Sequence, residues 1–284
     1  MNNQPLAYHD GEFLESDEAR PIRILAEYLE PLRRFREQNI QDTVVFFGSA
    51  RVHSRLHAER ALARLRLRKR SNDYPTALKR SRKALEWSRY YEDARELAKQ
   101  LTEWSLSLES PRHRFVVCSG GGPGVMEAAN RGAREAGGKT IGLNIRLPFE
   151  QGANRYITDG LHFEFHYFFM RKFWFAYLAK ALVIFPGGFG TLDEMFEILT
   201  LAQTKKLSKQ LCVILYGVTY WRQVFDLEPL VEWGAIAKKD LNLLQWVDTP
   251  REAFEKLRDH LVTHHLVPET AQENLAPGIA KTLG

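Results

Sequence analysis

Arg171 is one of two residues of this chain whose surroundings suggest chemistry. It interrupts segment 167–179, which is apolar nearly all round and is therefore predicted to be a buried helix. A buried guanidinium needs an anionic partner, and its planar shape suits a carboxylate or a phosphate. The residues alone leave open the alternative that Arg171 lies at the helix surface or pairs with a structural carboxylate.

Glu194 is the second candidate, and it has two interpretations. Thr191 and Glu194 fit the capping box T-x-x-E, in which Thr191 would cap a helix and Glu194 would accept from the backbone of Thr191. Alternatively, a carboxylate one turn inside a phosphate-binding helix would lie beside a sugar. There it could stabilise the oxocarbenium-like transition state of glycosidic cleavage. The residues alone favour the capping interpretation.

Three predicted strands end in loops of small residues, at Gly48-Ser49, at Gly120 to Gly124 and at Pro186 to Thr191. Glycine lets backbone N–H groups approach an anion closely, and the last two loops each open a helix whose N-terminus attracts negative charge. Tight strand–helix turns are the plain alternative, but two such loops in one α/β sheet favour an anion site. The loops fit neither a G-x-G-x-x-G nor a P-loop pattern, which argues against NAD and P-loop nucleotide binding.

The elements around these loops alternate between strand and helix. The predicted strands are 43–50, 114–119, 139–145, 161–165, 180–186, 210–217 and 243–247. The predicted helices between and after them are 125–137, 167–179, 192–203, 219–233 and a last helix from Thr249. This order predicts an α/β fold with a Rossmann-like, doubly wound parallel sheet, whose ligands bind at the carboxyl ends of the strands.

The chain is predicted to form a single domain with additions. Residues 1–40 form an N-terminal extension with one helix, and residues 41–265 form the Rossmann-like nucleotide-binding domain. A basic helical insertion occupies about 52–89, and residues 266–284 form a loose C-terminal tail.

Charge and composition narrow the possible functions. The net charge of +5 does not describe the whole chain, because the segment from Arg51 to Arg89 alone contains 13 Lys/Arg and only 3 Asp/Glu. No apolar run is long enough to cross a membrane, and the N-terminus does not resemble a signal peptide. Two isolated cysteines, Cys118 and Cys212, provide neither a disulfide framework nor a zinc site, so a cytoplasmic location is expected.

His162, Glu164 and His166 alternate along a predicted strand and would share one face. Such a face could hold a metal, but alternation of this kind is more often the polar side of a half-covered strand. We therefore expect no metal site here.

Four segments together resemble one protein family. Pro186 to Glu194 (PGGFGTLDE) resembles the PGGxGTxxE motif of the LOG (Lonely Guy) family, the cytokinin riboside 5′-monophosphate phosphoribohydrolases. Phe168 to Lys172 (FFMRK) resembles the second signature of that family, which ends in Arg-Lys. Gly120 to Glu127 (GGGPGVME) is similar to its glycine loop, and Phe47 to Arg51 to its first loop.

The resemblance implies a role for each motif. It makes Arg171 and Glu194 the catalytic pair. The resemblance implies that the 5′-phosphate is bound by Gly187, Gly188, Gly190 and Thr191. It implies that the base or ribose is bound by Ser49, Gly121, Gly122, Glu127, Met170 and Lys172. It implies no metal or organic cofactor, and because related proteins are dimers we expect a homodimer or a larger homo-oligomer.

The implied activity is hydrolysis of the N-glycosidic bond of a nucleoside 5′-monophosphate, which yields free base and ribose 5-phosphate. Before Arg171, the chain has Phe168-Phe169-Met170 where short plant-type members usually have Met-His-Glu, so it is more like the longer bacterial members. Expected substrates are AMP-like or cytokinin riboside 5′-monophosphates. Some members are called lysine decarboxylases, but no lysine suited to pyridoxal phosphate can be identified in this sequence.

Two other functions remain alternatives on the sequence alone. The first is a non-catalytic nucleotide or molybdenum-cofactor carrier, because such carriers share the glycine loops. The second is a nucleic-acid-binding protein that acts through the basic residues of 52–89.

Overall fold

A computed structural model describes residues 5–67, 72–147, 152–204, 206 and 210–266. Its strands are β1 (Thr43–Phe47), β2 (Val116–Ser119), β3 (Thr140–Ile145), β4 (His162–Phe165), β5 (Ala179–Ile184), β6 (Cys212–Tyr216) and β7 (Leu244–Val247). They form one sheet in the order β4-β3-β2-β1-β5-β6-β7, and every neighbouring pair is parallel. The predicted Rossmann-like parallel sheet is confirmed.

The helices flank this sheet. They are α1 (Gly11–Glu15), α2 (Arg20–Glu37), α3 (Arg55–Arg66), α4 (Tyr74–Leu106), α5 (Val125–Glu135), α6 (Phe168–Leu178), α7 (Phe189–Gln203), α8 (Val218–Val224), α9 (Glu228–Glu232) and α10 (Pro250–His265). The strand order runs one way from β1 to β4 and the other way from β5 to β7. The order therefore reverses between β1 and β5, where a parallel sheet of this kind opens a crevice for ligands.

The apolar runs of the sequence become strands because both faces of the sheet are covered. Every residue of β1 and β6 is buried. One face packs against α2, α6 and α7, with Trp174 and Met195 in its core. The other packs against α4, α5 and α10, with Leu97 and Leu257 in its core.

The described part of the N-terminal extension, residues 5–40, contains two α-helices, so the prediction of one helix was wrong. The short α1 precedes α2, and the side chain of Asp10 caps it by accepting from the Phe13 N–H at 3.1 Å. Helix α2 contacts the domain where the Trp174 Nε1–H donates to the Glu27 carbonyl oxygen at 2.8 Å. The helix predicted over 219–233 is also two helices, α8 and α9, with a proline in the first turn of α9.

The basic segment forms α3 and the first turns of α4. The exposed side chains there include Arg60, Arg64 and Arg80, whereas α4 is buried at Tyr90 and Tyr91. The basic stretch is therefore continuous with a helix that belongs to the core. Part of its basic run, residues 68–71, and the predicted tail from 267 lie outside the described residues.

His162 and Glu164 lie on the edge strand β4 and are exposed, while the alternating Phe163 and Phe165 are buried. This is the arrangement of a strand covered on one face only. None of the described helices combines the length and apolar character needed to span a membrane.

Candidate active site

Three loops of small residues meet at the carboxyl edge of β1, β2 and β5. The Ser49 N–H donates to the Pro186 carbonyl oxygen at 3.0 Å, and the Ser49 carbonyl oxygen accepts from the Val125 N–H at 3.1 Å. A Cβ on Gly48 would lie only 2.8 Å from Val125 and 2.9 Å from Phe185, which explains why the first loop begins with glycine. Ser49 is thus placed between the other two loops.

The loop after β5 leads into α7 with its backbone N–H groups open. Helix α7 begins at Phe189, and Gly188 is its N-cap residue. No acceptor for the N–H groups of Gly188, Phe189, Gly190 or Thr191 is present in the described part of the chain. A Cβ placed on Gly188 or Gly190 would meet nothing within 4 Å, and Phe189 is 93% exposed. Unpaired N–H groups at a helix N-terminus form a site for an anion of phosphate size.

Thr191 faces this loop from within the first turn of α7. Its side chain is largely buried and lies over Gly187, where a Cβ would collide with it. The loop therefore needs glycine at 187 to keep the threonine hydroxyl beside the backbone of the loop.

The capping-box interpretation of Glu194 was wrong. Because α7 begins at Phe189, Thr191 is the third residue of the helix and Glu194 the sixth, beyond reach of the helix start. The N-cap is Gly188, whose carbonyl oxygen accepts from the Leu192 N–H at 3.0 Å. Glu194 is thus free of the structural role that the sequence favoured.

Glu194 instead pairs with Arg171 across the α6–α7 interface. Arg171 Nη2 lies 2.9 Å from Glu194 Oε1, and the two side chains are only 13% and 12% exposed. The guanidinium carbon lies 5.5 Å from the ring centroids of both Phe168 and Phe175. Arg171 Nε is buried and has no partner among the described residues, an arrangement that costs about 1–3 kcal/mol in an ordinary protein interior.

The environment of Glu194 disfavours its charge. Burial raises the pKa of its carboxyl to about 7, although the positive charge of Arg171 acts in the opposite direction. Burial likewise lowers the pKa of Arg171. A carboxyl group that titrates near neutral pH beside an open anion site is typical of a catalytic group.

Lys172 and Met170 flank Arg171 but face different surroundings. Lys172 Nζ lies 2.8 Å from Asp193 Oδ2 and 3.1 Å from Glu197 Oε2, so it forms a second bridge between α6 and α7. Met170 is buried in the core against the sheet. Lys172 therefore lies next to the Arg171–Glu194 pair, and its ammonium group forms ion pairs with two carboxylates of α7.

The loop after β2 is held from outside by a residue that the sequence analysis missed. The Asn154 side chain donates to the Gly121 and Gly122 carbonyl oxygens at 3.0 and 3.1 Å, and it also donates to Asn130 Oδ1 at 2.9 Å. Gly121 has a φ of +72°, a conformation that favours glycine. No local pattern marks Asn154, because the contact joins segments more than thirty residues apart.

Glu127 lies in the first turn of α5, which begins directly after the same loop. Its Oε1 accepts from the Tyr91 hydroxyl at 2.6 Å, so a residue of α4 orients it. Glu127 and Asn154 also line a cleft beside Pro123. Tyr91 is the second residue that the sequence analysis missed, since it lies in α4 just after the predicted basic insertion of 52–89 and outside every motif.

Comparisons with known proteins found sequence similarity to proteins named as members of the family that the motifs resemble. A family model described as "Possible lysine decarboxylase" matches residues 126–257. A probable cytokinin riboside 5′-monophosphate phosphoribohydrolase, LOG6 of Arabidopsis thaliana, is 27% identical over 175 residues, which are 62% of this chain and 83% of that protein. The rice phosphoribohydrolase LOG is 27% identical over 179 residues, which are 61% of this chain and 67% of that protein.

Solved structures that the comparison matched include the molybdenum cofactor carrier protein of Chlamydomonas reinhardtii. It is 19% identical, with a TM-score of 0.42, and the match covers 78% of this chain and 99% of that one. The molybdenum cofactor binding protein of Rippkaea orientalis is 21% identical, also with a TM-score of 0.42, over 60% of this chain and 86% of that one.

Proposed function

We propose that this chain, which is similar in sequence to phosphoribohydrolases of the LOG family, is a nucleoside 5′-monophosphate phosphoribohydrolase. The observation that carries the proposal is the largely buried Arg171–Glu194 pair beside an open helix N-terminus. The pair lies on α6 and α7, and the anion site lies at the start of the same α7. A nucleotide anchored by its phosphate at that start would extend its sugar towards Glu194.

In the proposed complex the 5′-phosphate accepts hydrogen bonds from the loop. The donors are the N–H groups of Gly187, Gly188 and Gly190 and the hydroxyl of Thr191. The helix N-terminus adds its partial positive charge, which favours a dianionic ligand. Ser49, Gly121, Gly122 and Glu127 belong to the loops and helix start that border the base and ribose.

The proposed reaction breaks the bond between C1′ of the ribose and the ring nitrogen of the base. The bonding electrons leave with the base, and positive charge develops on C1′ and the ring oxygen. The ionised Glu194 stabilises that charge, and Arg171 holds its carboxylate in place. A water oxygen then bonds to C1′ and its proton is given up to the leaving base, which yields free base and ribose 5-phosphate.

The proposed substrates are AMP-like or cytokinin riboside 5′-monophosphates, and the proposed location is the cytoplasm. We also propose that the protein works as a homodimer or a larger homo-oligomer. The large exposed side chains of Phe168, Phe169 and Phe189 around the site support this, because apolar side chains exposed together are typical of interaction surfaces.

The experiment that tests the function is a panel of nucleoside monophosphates, with cytokinin riboside 5′-monophosphates included, assayed for released base by chromatography. Free base and ribose 5-phosphate should appear in equal amounts from at least one of them. A protein that binds these nucleotides and releases no base from any would instead be a carrier.

A further inference from the structure

A tyrosine outside every sequence motif contacts the proposed phosphate loop. The Tyr220 hydroxyl, from α8, donates to the Gly187 carbonyl oxygen at 2.8 Å. Burial raises the pKa of Tyr220, so its hydroxyl keeps its proton and remains a donor throughout the neutral range.

This contact fixes the orientation of one peptide unit. In a trans peptide, the carbonyl of Gly187 and the N–H of Gly188 point in opposite directions. Since the carbonyl is directed to Tyr220 on one side, the Gly188 N–H is directed to the other side. No described residue accepts from this N–H, and a Cβ placed on the same residue would meet nothing within 4 Å.

Tyr220 is itself held in place by the long helix α4. The Trp87 ring meets the Tyr220 ring edge-on, with centroids 5.5 Å apart. At the start of α8, the Val218 N–H donates to Asp248 Oδ1 at 3.0 Å, and Arg89 Nη2 lies 3.7 Å from the same oxygen. The end of the basic segment thus supports the element that carries Tyr220.

We propose that Tyr220 is a positioning residue for the phosphate of the substrate: its hydroxyl holds the Gly187–Gly188 peptide so that the Gly188 N–H points at the anion. The inference rests on the proposed function for the identity of the anion. It adds a residue of α8 and, through Trp87, a structural role for α4 in substrate binding.

The test is Tyr220→Phe, which removes the hydroxyl and keeps the ring that packs on Trp87. Loss of one hydrogen bond of ordinary strength predicts a rise of about two- to tenfold in the Kd for inorganic phosphate and in the KM for AMP. The value of kcat should change little, because the phosphate is bound equally in the ground state and the transition state. The melting temperature should match that of the parent.

The matched control is Tyr90→Phe, which removes a hydroxyl from α4 one turn beyond Trp87, where the Tyr90 ring meets the ring of Tyr216 at the end of β6. It should leave both phosphate affinity and KM at parental values. Unchanged phosphate affinity in Tyr220→Phe, or a loss of kcat with KM intact, would overturn the proposal. So would an equal weakening in both variants.

A second measurement needs no variant and separates this inference from the proposed function. Phosphate added to the isotope-labelled parent protein should shift the amide proton resonance of Gly188 together with those of Gly190 and Thr191. A shift at Gly190 and Thr191 without one at Gly188 contradicts the role of Tyr220. If none of the three responds to phosphate or AMP, the phosphate loop itself is assigned wrongly.

Discussion

Arg171 and Glu194 lie 23 positions apart in the sequence, yet their side chains form an ion pair of 2.9 Å with little exposure to solvent. The pair joins α6 to α7, and α7 follows β5, one of the two strands between which the strand order reverses. Removing either partner would leave the other as an uncompensated, nearly buried charge. For variants of either residue, both the turnover and the melting temperature therefore need to be measured.

Glu194→Gln should lower kcat by about 10² or more, the scale found when single electrostatic contributors to a transition state are removed. Helix capping offers no competing explanation, because Glu194 is the sixth residue of α7. The KM should change less, since the phosphate contacts remain. The control is Glu197→Gln, the same change one turn further along α7, where Glu197 contacts only Lys172 among the ion pairs described. Parental turnover in a folded Glu194→Gln protein would refute the catalytic role.

Arg171→Ala should abolish turnover, and Arg171→Lys should not restore it. A lysine keeps the charge but lacks the planar guanidinium that meets the carboxylate and lies near two phenylalanine rings. Base release by variants with parental melting temperatures is the measurement. Full activity in Arg171→Lys would show that charge alone suffices.

The pH dependence of kcat should follow the ionisation of Glu194. Burial raises the pKa of its carboxyl to about 7, so the carboxylate is the minor form below this pH and the major form above it. Because the ionised form stabilises positive charge on the ribose, kcat at saturating AMP should rise through about pH 7 and then level off. A kcat that falls across the same range would make Glu194 a proton donor instead.

The same carboxyl should affect stability in the opposite direction. Its pKa in the folded protein, about 7, exceeds the ordinary value of 4.5, so the folded state binds the proton more tightly. The stability from that proton is present below about pH 4.5 and is lost as the pH rises to about 7. Over this range the free energy of unfolding of the parent should fall relative to that of Glu194→Gln, by about 3 kcal/mol. Parallel curves in denaturant titrations would show an ordinary pKa.

The phosphate should be mandatory for cleavage. The four open N–H groups at the start of α7 offer binding to an anion and little to an uncharged sugar. AMP should be hydrolysed while adenosine is nearly inert, with released adenine as the readout for both. Equal rates on the two would contradict the assignment of the phosphate loop.

The exposed basic residues should be dispensable for the chemistry. Replacing Arg60, Arg64 and Arg80 with glutamine should leave base release at the parental rate, since these side chains are exposed on α3 and the start of α4. Binding to single-stranded polynucleotide, measured at about 50 and 200 mM salt, tests the nucleic-acid alternative. Tight, salt-dependent binding that this triple variant loses would support it, and loss of base release would give the segment a part in the site.

The sequence by itself determined the sheet and the loops. Continuous apolar runs such as Thr43–Phe47 must be buried on both faces, and this requirement defines a parallel sheet before any contact is known. The proposed phosphate loop could be recognised from Gly187, Gly188 and the motif that ends at Glu194. These residues are contiguous in the chain, so their pattern is visible in the sequence. Element ends were less well predicted, as with the start of α7.

Only the tertiary structure decided which side chains meet. The competition between a cap and an ion pair for Glu194 depends on where α7 begins and on the packing of α6 against it, and neither is a property of a local pattern. The contact of Tyr91 with Glu127 joins two helices, and that of Tyr220 with Gly187 joins a helix to a loop, in each case between separate connections of the sheet. Hydrogen bonds over such separations leave no periodicity in the sequence, because their geometry is set by how the helices pack.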